Sequence, residues 1–427
     1  MADSESRGPD SDWEVATRGA VNVEVADHLR EALASGRKLR VKLGIDPSAP
    51  DIHLGHTVVL GKLRDFQRLG HQAVLIIGDF TARIGDPSGR SETRRPLTEA
   101  EVAAHAQTYL DQVFKILDRD ATEVRPQSEW FGGMDLADVI RLAGKATVAQ
   151  ILQRDDFSKR SAAGHPIGVH ELLYPLLQGY DSIAVESDLE LGGTDQLYNL
   201  LFARDLQREA GGRPQDILTM PLLEGLDGRQ KMSKSLGNYV GVAEPPEEMF
   251  GKLMSVPDEL ITRYLRLVTD MPAAEVDQVE RDLAVGQNPR DAKWKLAERV
   301  VAMYHSAAAA TAAGEAFRSQ FQRGEVPVEI PEVRVPAMTT WPTYADAMVE
   351  LALATTKSEA RRLINQRGVR LDGEILESPT LPLHLPDGRS VLWQVGRRRV
   401  LRVTAEVRTH DRGSLDPDVI RPSQPET

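Results

Sequence analysis

LRVKLGIDPSAPDIHLGHTVVLGKLRDFQRLGHQAVLII, residues 39–77, decides the fold. Its ends, LRVKLGI (39–45) and AVLII (73–77), are short, mostly aliphatic runs of strand length. Between them Val59, Leu60, Leu63, Phe66 and Leu69 recur at helical spacing, and Gly70 stands where a C-terminal cap belongs. The spacing predicts a β-α-β unit, and with it a parallel sheet covered by helices. Outward from this unit the same alternation continues, so residues 13–240 are expected to form one α/β domain. Residues 241–325 are Ala-rich and charged with helical periodicity, and predict a helical domain. VPVEIPEVRVP (326–336), with its three prolines, reads as extended chain, and 326–342 is assigned to a linker. In 343–408 a helical stretch, SEARRLINQ (358–366), precedes VRLDGEIL (369–376), whose Asp372-Gly373 pair predicts a hairpin in a small α+β domain. Residues 1–12 and 409–427 are polar and aperiodic, and are expected to be flexible tails.

Composition narrows the chemistry. The chain has 427 residues, 41% hydrophobic and 27% charged, which suits two or three globular domains. No apolar run approaches the roughly 18 residues of a membrane span, and the N-terminus lacks a basic end followed by a hydrophobic stretch, so the expected location is cytoplasmic and no membrane partner is expected. There is no cysteine, which excludes disulfides, thiolate nucleophiles and Cys-based zinc sites, and no metal-ligand set is assigned. The net charge of −12 speaks against a nucleic-acid partner for the chain as a whole. Its distribution speaks otherwise: between Lys357 and Val403 there are ten Lys/Arg against five Asp/Glu, so the C-terminal end carries a basic module.

Two segments concentrate polar residues. DIHLGHT (51–57) sets His53 and His56 around Gly55 at the start of the helix after the first strand. A helix N-terminus offers free N–H groups and a positive dipole end, both suited to phosphate, and a glycine lets a ligand approach the backbone. By spacing alone, incidental surface histidines are as good an explanation. QKMSKSLGN (230–238) places Lys231 and Lys234 with Ser233 and Ser235 in a short polar loop able to wrap a triphosphate. HLGH followed by KMSKS resembles the paired ATP signatures of class I aminoacyl-tRNA synthetases, and both motifs together are far more specific than either alone.

KLGIDPSAPDIHLGH (42–56), GDFTARIGDPSGR (78–90), HELLYPLLQGYDS (170–182) and LGGTDQLYNLLFARDL (191–206) resemble the bacterial tyrosyl-tRNA synthetases. SKSEARRLINQRGVRLDGEIL resembles the S4 RNA-binding domain that these enzymes carry and the related tryptophanyl enzymes lack. The resemblance implies a Rossmann-like catalytic domain, ATP as substrate with Mg2+, tyrosine and its tRNA as partners, and a homodimer. It further implies that Gly44, Asp46, Ser48, His53, Gly55, His56, Gly193, Asp195, Lys231, Ser233, Lys234 and Ser235 serve ATP, with His53, His56, Lys231 and Lys234 catalytic. Asp86, Tyr174, Gln178 and Gln196 match residues that hold the amino and carboxylate ends of tyrosine, and Asp181 the residue that accepts its phenol. The helical spacing agrees, since Tyr174, Gln178 and Asp181 project from one face within about 60°. Arg90 and Arg94 match a loop thought to contact pyrophosphate. Many members of the family carry a second phenol-binding tyrosine where Lys42 stands here; its ammonium either points elsewhere or binds Asp181. In the S4-like part, Lys357, Arg361, Arg362, Arg367, Arg370, Arg397, Arg398 and Arg399 form a pattern suited to tRNA phosphates rather than to base reading.

Overall fold

Six strands build the sheet on which the first domain rests: β1 (Asn22–Glu24), β2 (Arg40–Ile45), β3 (Gln72–Ile77), β4 (Thr122–Pro126), β5 (Leu189–Gly193) and β6 (Asp216–Met220). Their order is β1-β6-β5-β2-β3-β4, all parallel except the edge strand β1. In the computed structural model, which describes residues 9–87, 97–322, 331–396 and 399–407, the chain forms two compact units, Met1–Gly314 and Glu315–Thr427. Strands β2 to β4 run to one side of β2, while β5 and β6 return on its other side. The order therefore reverses between β2 and β5, and the crevice outside their carboxyl ends is where open α/β sheets bind ligands.

Because helices cover both faces, the central strands are mostly apolar: Val41, Leu43, Val74, Leu75, Ile76, Leu189, Leu191, Ile217 and Leu218 are all buried. The predicted helix runs from Leu54 to Arg68 and buries Leu54, Val58, Leu60, Leu63 and Phe66. Lys62 and Asp65 are buried on it too. Lys62 Nζ donates to Val15 O at 2.8 Å and to Asp65 at 3.2 Å, while Arg18 stands 3.6 Å from the same carboxylate. This pairing holds an N-terminal helix, Pro9–Thr17, against the domain, so residues 9–12 belong to an element rather than to a flexible tail. Arg30 stacks over Trp13 at 4.3 Å and adds to that anchor.

Two helices that flank the crevice pack at backbone distance. On Tyr174–Ala184, a Cβ added to Gly179 would lie 3.1 Å from Leu206 and 3.3 Å from the Cα of Ala203, both on Leu197–Glu209. Beyond β6, the helices Pro246–Met254, Ile261–Val268, Ala273–Ala284, Pro289–Tyr304 and Ala307–Gln322 follow one another, with Phe250 and Trp294 edge to face at 4.9 Å.

The second unit contains β7 (Glu332–Val335), β8 (Thr339–Trp341), β9 (Val369–Leu371), β10 (Glu374–Ile375), β11 (Leu383–Leu385), β12 (Ser390–Val395) and β13 (Arg399–Ala405). They form a five-stranded sheet, β10-β9-β12-β13-β7, and a pair, β11-β8. The stretch assigned to a linker thus contributes two strands. Its prolines, Pro331 and Pro336, bracket β7, an edge strand whose alternation escapes notice in so short a run. The hairpin forms as predicted: Asp372 (φ 50°) and Gly373 (φ 88°) are both left-handed, the type I′ geometry that matches strand twist. Thr343 and Thr356 cap the helices Tyr344–Glu350 and Lys357–Asn365 by accepting the N–H of Asp346 and Glu359. Trp341, Met348, Ile364, Val369, Trp393 and Val403 fill the core between helices and strands. Residues 409–427 lie outside those described.

Candidate active site

Asp46 follows the last residue of β2, and the chain then runs to His53, the residue that precedes the helix Leu54–Arg68. The loop carrying Lys231 and Lys234 reaches this helix start through backbone pairing. Leu54 N–H donates to Val240 O at 2.9 Å and Val242 N–H to Ile52 O at 2.9 Å. Gly55 allows the approach, since a Cβ there would stand 3.0 Å from the His53 ring and 3.5 Å from Met232. Asn238 braces the loop by accepting Ser233 N–H at 2.8 Å and donating to Asp227 at 3.0 Å.

A cavity of about 410 Å³ opens where these segments meet. Gly44, Asp46, Ser48, His53, Gly55, His56, Asp86, Tyr174, Gln178, Asp181, Gly193, Asp195, Gln196, Lys231, Ser233, Lys234 and Ser235 all line it. Every sequence-predicted residue of the first domain within the described segments is thereby brought together; Arg90 and Arg94 lie outside them.

Where the start of the helix Leu54–Arg68 meets the loop of Lys231 and Lys234, the cavity has two neutral histidines and two lysines. His53 is pushed down to about 2 by burial and then by its neighbours His56 and Lys234, and His56 to about 4 by burial and Lys234. Both rings are therefore uncharged near neutral pH. His56 Nδ1 faces the His53 N–H at 3.2 Å and must accept it, which puts the ring proton on Nε2. Nδ1 of His53 is buried without a partner. Lys234 Nζ donates to Asp51 O at 2.5 Å and stands 3.7 Å from the Asp51 carboxylate, while Lys231 Nζ lies 3.4 Å from Asp195. Burial lowers Lys234 and raises Asp195.

On the other side, carboxylates are held by fixed donors. Asp46 accepts from Tyr174 OH at 2.9 Å and Thr81 Oγ1 at 2.6 Å, so it links the two ends of the cavity. Asp86 accepts from Gln196 Nε2 at 2.8 Å and Arg154 Nη2 at 3.3 Å. Asp181 accepts from Gln127 Nε2 at 2.8 Å and Trp130 Nε1 at 3.1 Å. Burial pushes the Asp181 carboxyl up to about 7 even though Lys42 opposes the shift. Lys42 does not bind Asp181; its ammonium pairs with Glu190 at 2.9 Å and is absent from the cavity lining. Sequence reading missed Thr81, Gln127, Trp130, Arg154 and Glu190. Gln127 and Trp130 follow β4 directly, and their place after the carboxyl end of a strand was the signal available.

In the second unit, Lys357, Arg361, Arg362, Arg367, Arg370 and Arg399 are exposed. Lys357 pairs with Asp346, Arg367 with Glu377, and Arg370 and Arg399 donate to Gly373 O and Leu353 O. Arg397 and Arg398 lie outside the described residues.

The family profile described as tRNA synthetases class I (W and Y) matches residues 34–322, and that of the S4 domain residues 345–386. A tyrosine–tRNA ligase from Moorella thermoacetica is 53% identical over 88% of this chain and 90% of its own. The chain belongs to the tyrosine–tRNA ligase family. A tyrosine–tRNA ligase from Coxiella burnetii is 51% identical over 92% of this chain and 98% of its own. Among solved structures, the tyrosyl-tRNA synthetase of Archaeoglobus fulgidus complexed with L-tyrosine superposes with a TM-score of 0.60 at 26% identity, covering 71% of this chain and 99% of that one. The C-terminally truncated mitochondrial tyrosyl-tRNA synthetase of Aspergillus nidulans shares the fold, with a TM-score of 0.62 at 21% identity and coverage of 74% and 95%. Tyrosine–tRNA ligases use ATP as substrate, and the S4 domain is an RNA-binding module.

The histidine geometry makes a direct prediction. In protein with isotope-labelled histidine and no ligand, NMR should show the rings of His53 and His56 neutral throughout pH 5 to 8. A titration of either ring between those limits would contradict the burial described.

Proposed function

We propose that the cavity activates tyrosine with ATP and then passes it to the 3′-terminal adenosine of tRNA, with the residues in the following roles. Two buried side-chain atoms of residues lining one cavity, His53 Nδ1 and Gln178 Oε1, have no partner in the protein, and this observation carries the reading. Tyr174, Gln178 and Asp86 would receive the substrate ammonium, Gln196 the region of its carboxylate, and Asp181 the phenol hydrogen. Gly44, Asp46, Ser48, Gly193 and Asp195 would cradle the nucleotide. Glycines 192 and 193 keep that wall thin, since a Cβ at either would strike Gln196 or Asp195 within 3.0 Å. The tyrosine carboxylate attacks the α-phosphorus, and pyrophosphate departs with the charge of the broken bond. The nucleophile is already ionised at neutral pH, so no general base is needed, and catalysis is positioning plus electrostatic stabilisation. Lys231 and Lys234 would leave Asp195 and Asp51 for the β- and γ-phosphates. His56, with its proton on Nε2, supplies a neutral donor. A ribose hydroxyl of the tRNA terminus then attacks the mixed anhydride and releases AMP.

Mg2+ is proposed to enter on the phosphates of ATP. Among the described residues no group of three or more His, Asp or Glu could hold a metal, and Mg2+ commonly keeps phosphates and water as its ligands. The exposed cations from Lys357 to Arg399, with Arg397 and Arg398 of the same basic run, are proposed to bind tRNA phosphates; Arg90 and Arg94 are proposed, by resemblance alone, to contact pyrophosphate. A homodimer is proposed as the working form; the apolar residues Leu136 and Ile140, one turn apart on the helix Leu136–Ala143, and Val169 are all exposed and support it. The expected location is the cytoplasm; among the described residues no helix is long and apolar enough to cross a membrane.

Amino-acid-dependent ATP–pyrophosphate exchange across all twenty amino acids tests the reading, which fails if tyrosine does not lead. In the same assay Lys231→Ala or Lys234→Ala should slow exchange by about 10- to 1000-fold, the range for removing one donor to developing charge, with tyrosine affinity little changed. An equal loss of tyrosine affinity would move these lysines to the amino-acid side.

Asp181 predicts a pH effect. Its ionised form is the far stronger acceptor of the phenol hydrogen, and with a pKa of about 7 that form is lost as pH falls. The tyrosine-to-phenylalanine ratio of kcat/KM should therefore drop by about tenfold per unit below pH 7 and level off above about pH 8. In Asp181→Ala the ratio should be small and flat with pH; a slope that survives the substitution would assign phenol recognition elsewhere.

For the RNA side, Arg361→Glu/Arg362→Glu should leave exchange intact and raise the tRNA KM by about 10-fold or more. The salt dependence of charging should flatten by about two ionic contacts. Unaltered charging across a salt series would remove this helix from the interface.

A further inference from the structure

Behind the amino-acid end of the cavity lies a charged pair that no motif announces. Glu190, 1% exposed on β5, is surrounded by donors: Lys42 Nζ at 2.9 Å, Ser182 Oγ at 3.1 Å, Gln178 Nε2 at 3.4 Å, and Gln215 Nε2. Lys42 is fully buried on the adjacent strand β2. Besides Glu190 it donates to Gln178 O at 3.0 Å and to Ser182 Oγ at 2.8 Å, so it grips the helix Tyr174–Ala184 by its backbone. Neither Lys42 nor Glu190 lines the cavity, whereas Gln178 does.

An ionised carboxylate only accepts hydrogen bonds. Facing Glu190, the Gln178 amide must turn its NH2 group backward, which leaves its carbonyl oxygen as the group that remains available. That oxygen is buried and has no partner. With the opposite orientation Gln178 would offer N–H donors to a substrate ammonium and repel it. A carboxylate buried here without a cation would itself be costly, which explains a lysine at position 42.

We propose that Glu190 is a positioning residue for the ammonium end of the tyrosine pocket, fixing the orientation of Gln178, with Lys42 as its counter-charge and its tether to the helix. The inference rests on the proposed role of Gln178 in the amino-acid pocket.

Single substitutions would strand a buried charge, so the test uses neutral pairs, for which replacement of a buried ion pair by groups of similar volume is commonly tolerated. Lys42→Met/Glu190→Leu removes the acceptor; Lys42→Met/Glu190→Gln keeps one. By pyrophosphate exchange, the leucine variant should raise the tyrosine KM by about 10- to 100-fold with the ATP KM within about 2-fold, and the glutamine variant should recover most of that loss. Glu190→Asp is the companion variant. It keeps the counter-charge of Lys42 but draws the carboxylate back by one methylene, and should raise the tyrosine KM by about 10-fold even if the leucine variant does not fold. A wild-type tyrosine KM in folded Glu190→Asp or in the leucine variant overturns the proposal, and so does an equal loss with glutamine and leucine. Gln178→Ala separates the two levels. If it leaves the tyrosine KM unchanged, the reading of the pocket fails; if it raises the KM while the Glu190 variants do not, only the positioning role fails.

Discussion

Two backbone hydrogen bonds, Leu54 N–H to Val240 O and Val242 N–H to Ile52 O, bring together segments that lie far apart in the chain. Each would be modest alone in water. Here they join the start of the helix after β2 to the chain that leaves the KMSKS loop, whose Lys231, Ser233, Lys234 and Ser235 line the same cavity as His53 and His56. The sheet supplies the other half of the constraint. Its order reverses between β2 and β5, so Asp46 and Asp195 follow the carboxyl ends of neighbouring strands and both line the cavity.

Within that frame the electrostatics are divided. Around the start of the helix after β2, burial and the nearby lysines keep His53 and His56 neutral, so positive charge is concentrated on two side chains that rest against Asp51 and Asp195. In the proposed reading, a triphosphate carrying more charge than either carboxylate replaces them. The carboxylates of Asp46, Asp86 and Asp181 have rigid donors already in place. They therefore meet a substrate without reorganising, which is how fixed dipoles act most strongly.

Most of this was legible where local physics and tertiary structure agree. The β-α-β unit followed from apolar spacing, the Asp372-Gly373 turn from its need for two left-handed residues, and the residues around the cavity from a resemblance whose motifs converge in space. What escaped has a shared cause. Lys62 and Asp65 interrupt no helical pattern, yet are buried because they satisfy each other and Val15 O. Strand β7 is too short and too proline-bounded to alternate visibly. Gln127, Trp130, Arg154 and Glu190 act through partners more than 40 residues away in most cases, as in the Gln127–Asp181 and Arg154–Asn199 contacts, with sequence separations of 54 and 45, so no local pattern marks them. Lys42 was noticed only as a departure, because its partner on β5 is invisible until the strands are paired.

The contact of Gly179 with Leu206 and Ala203 sets the room in which substrate choice can change. At Gly179 the helix that carries Tyr174, Gln178 and Asp181 puts no side chain of its own toward its neighbour, so it cannot slide or roll inward there, and moving outward would open a void against Leu206. The pocket floor behaves as a rigid gauge. A lineage that adapts this fold to a bulkier or smaller amino acid must exchange side chains that face the gauge, at positions such as Gln127, while the helix pair itself is inherited intact.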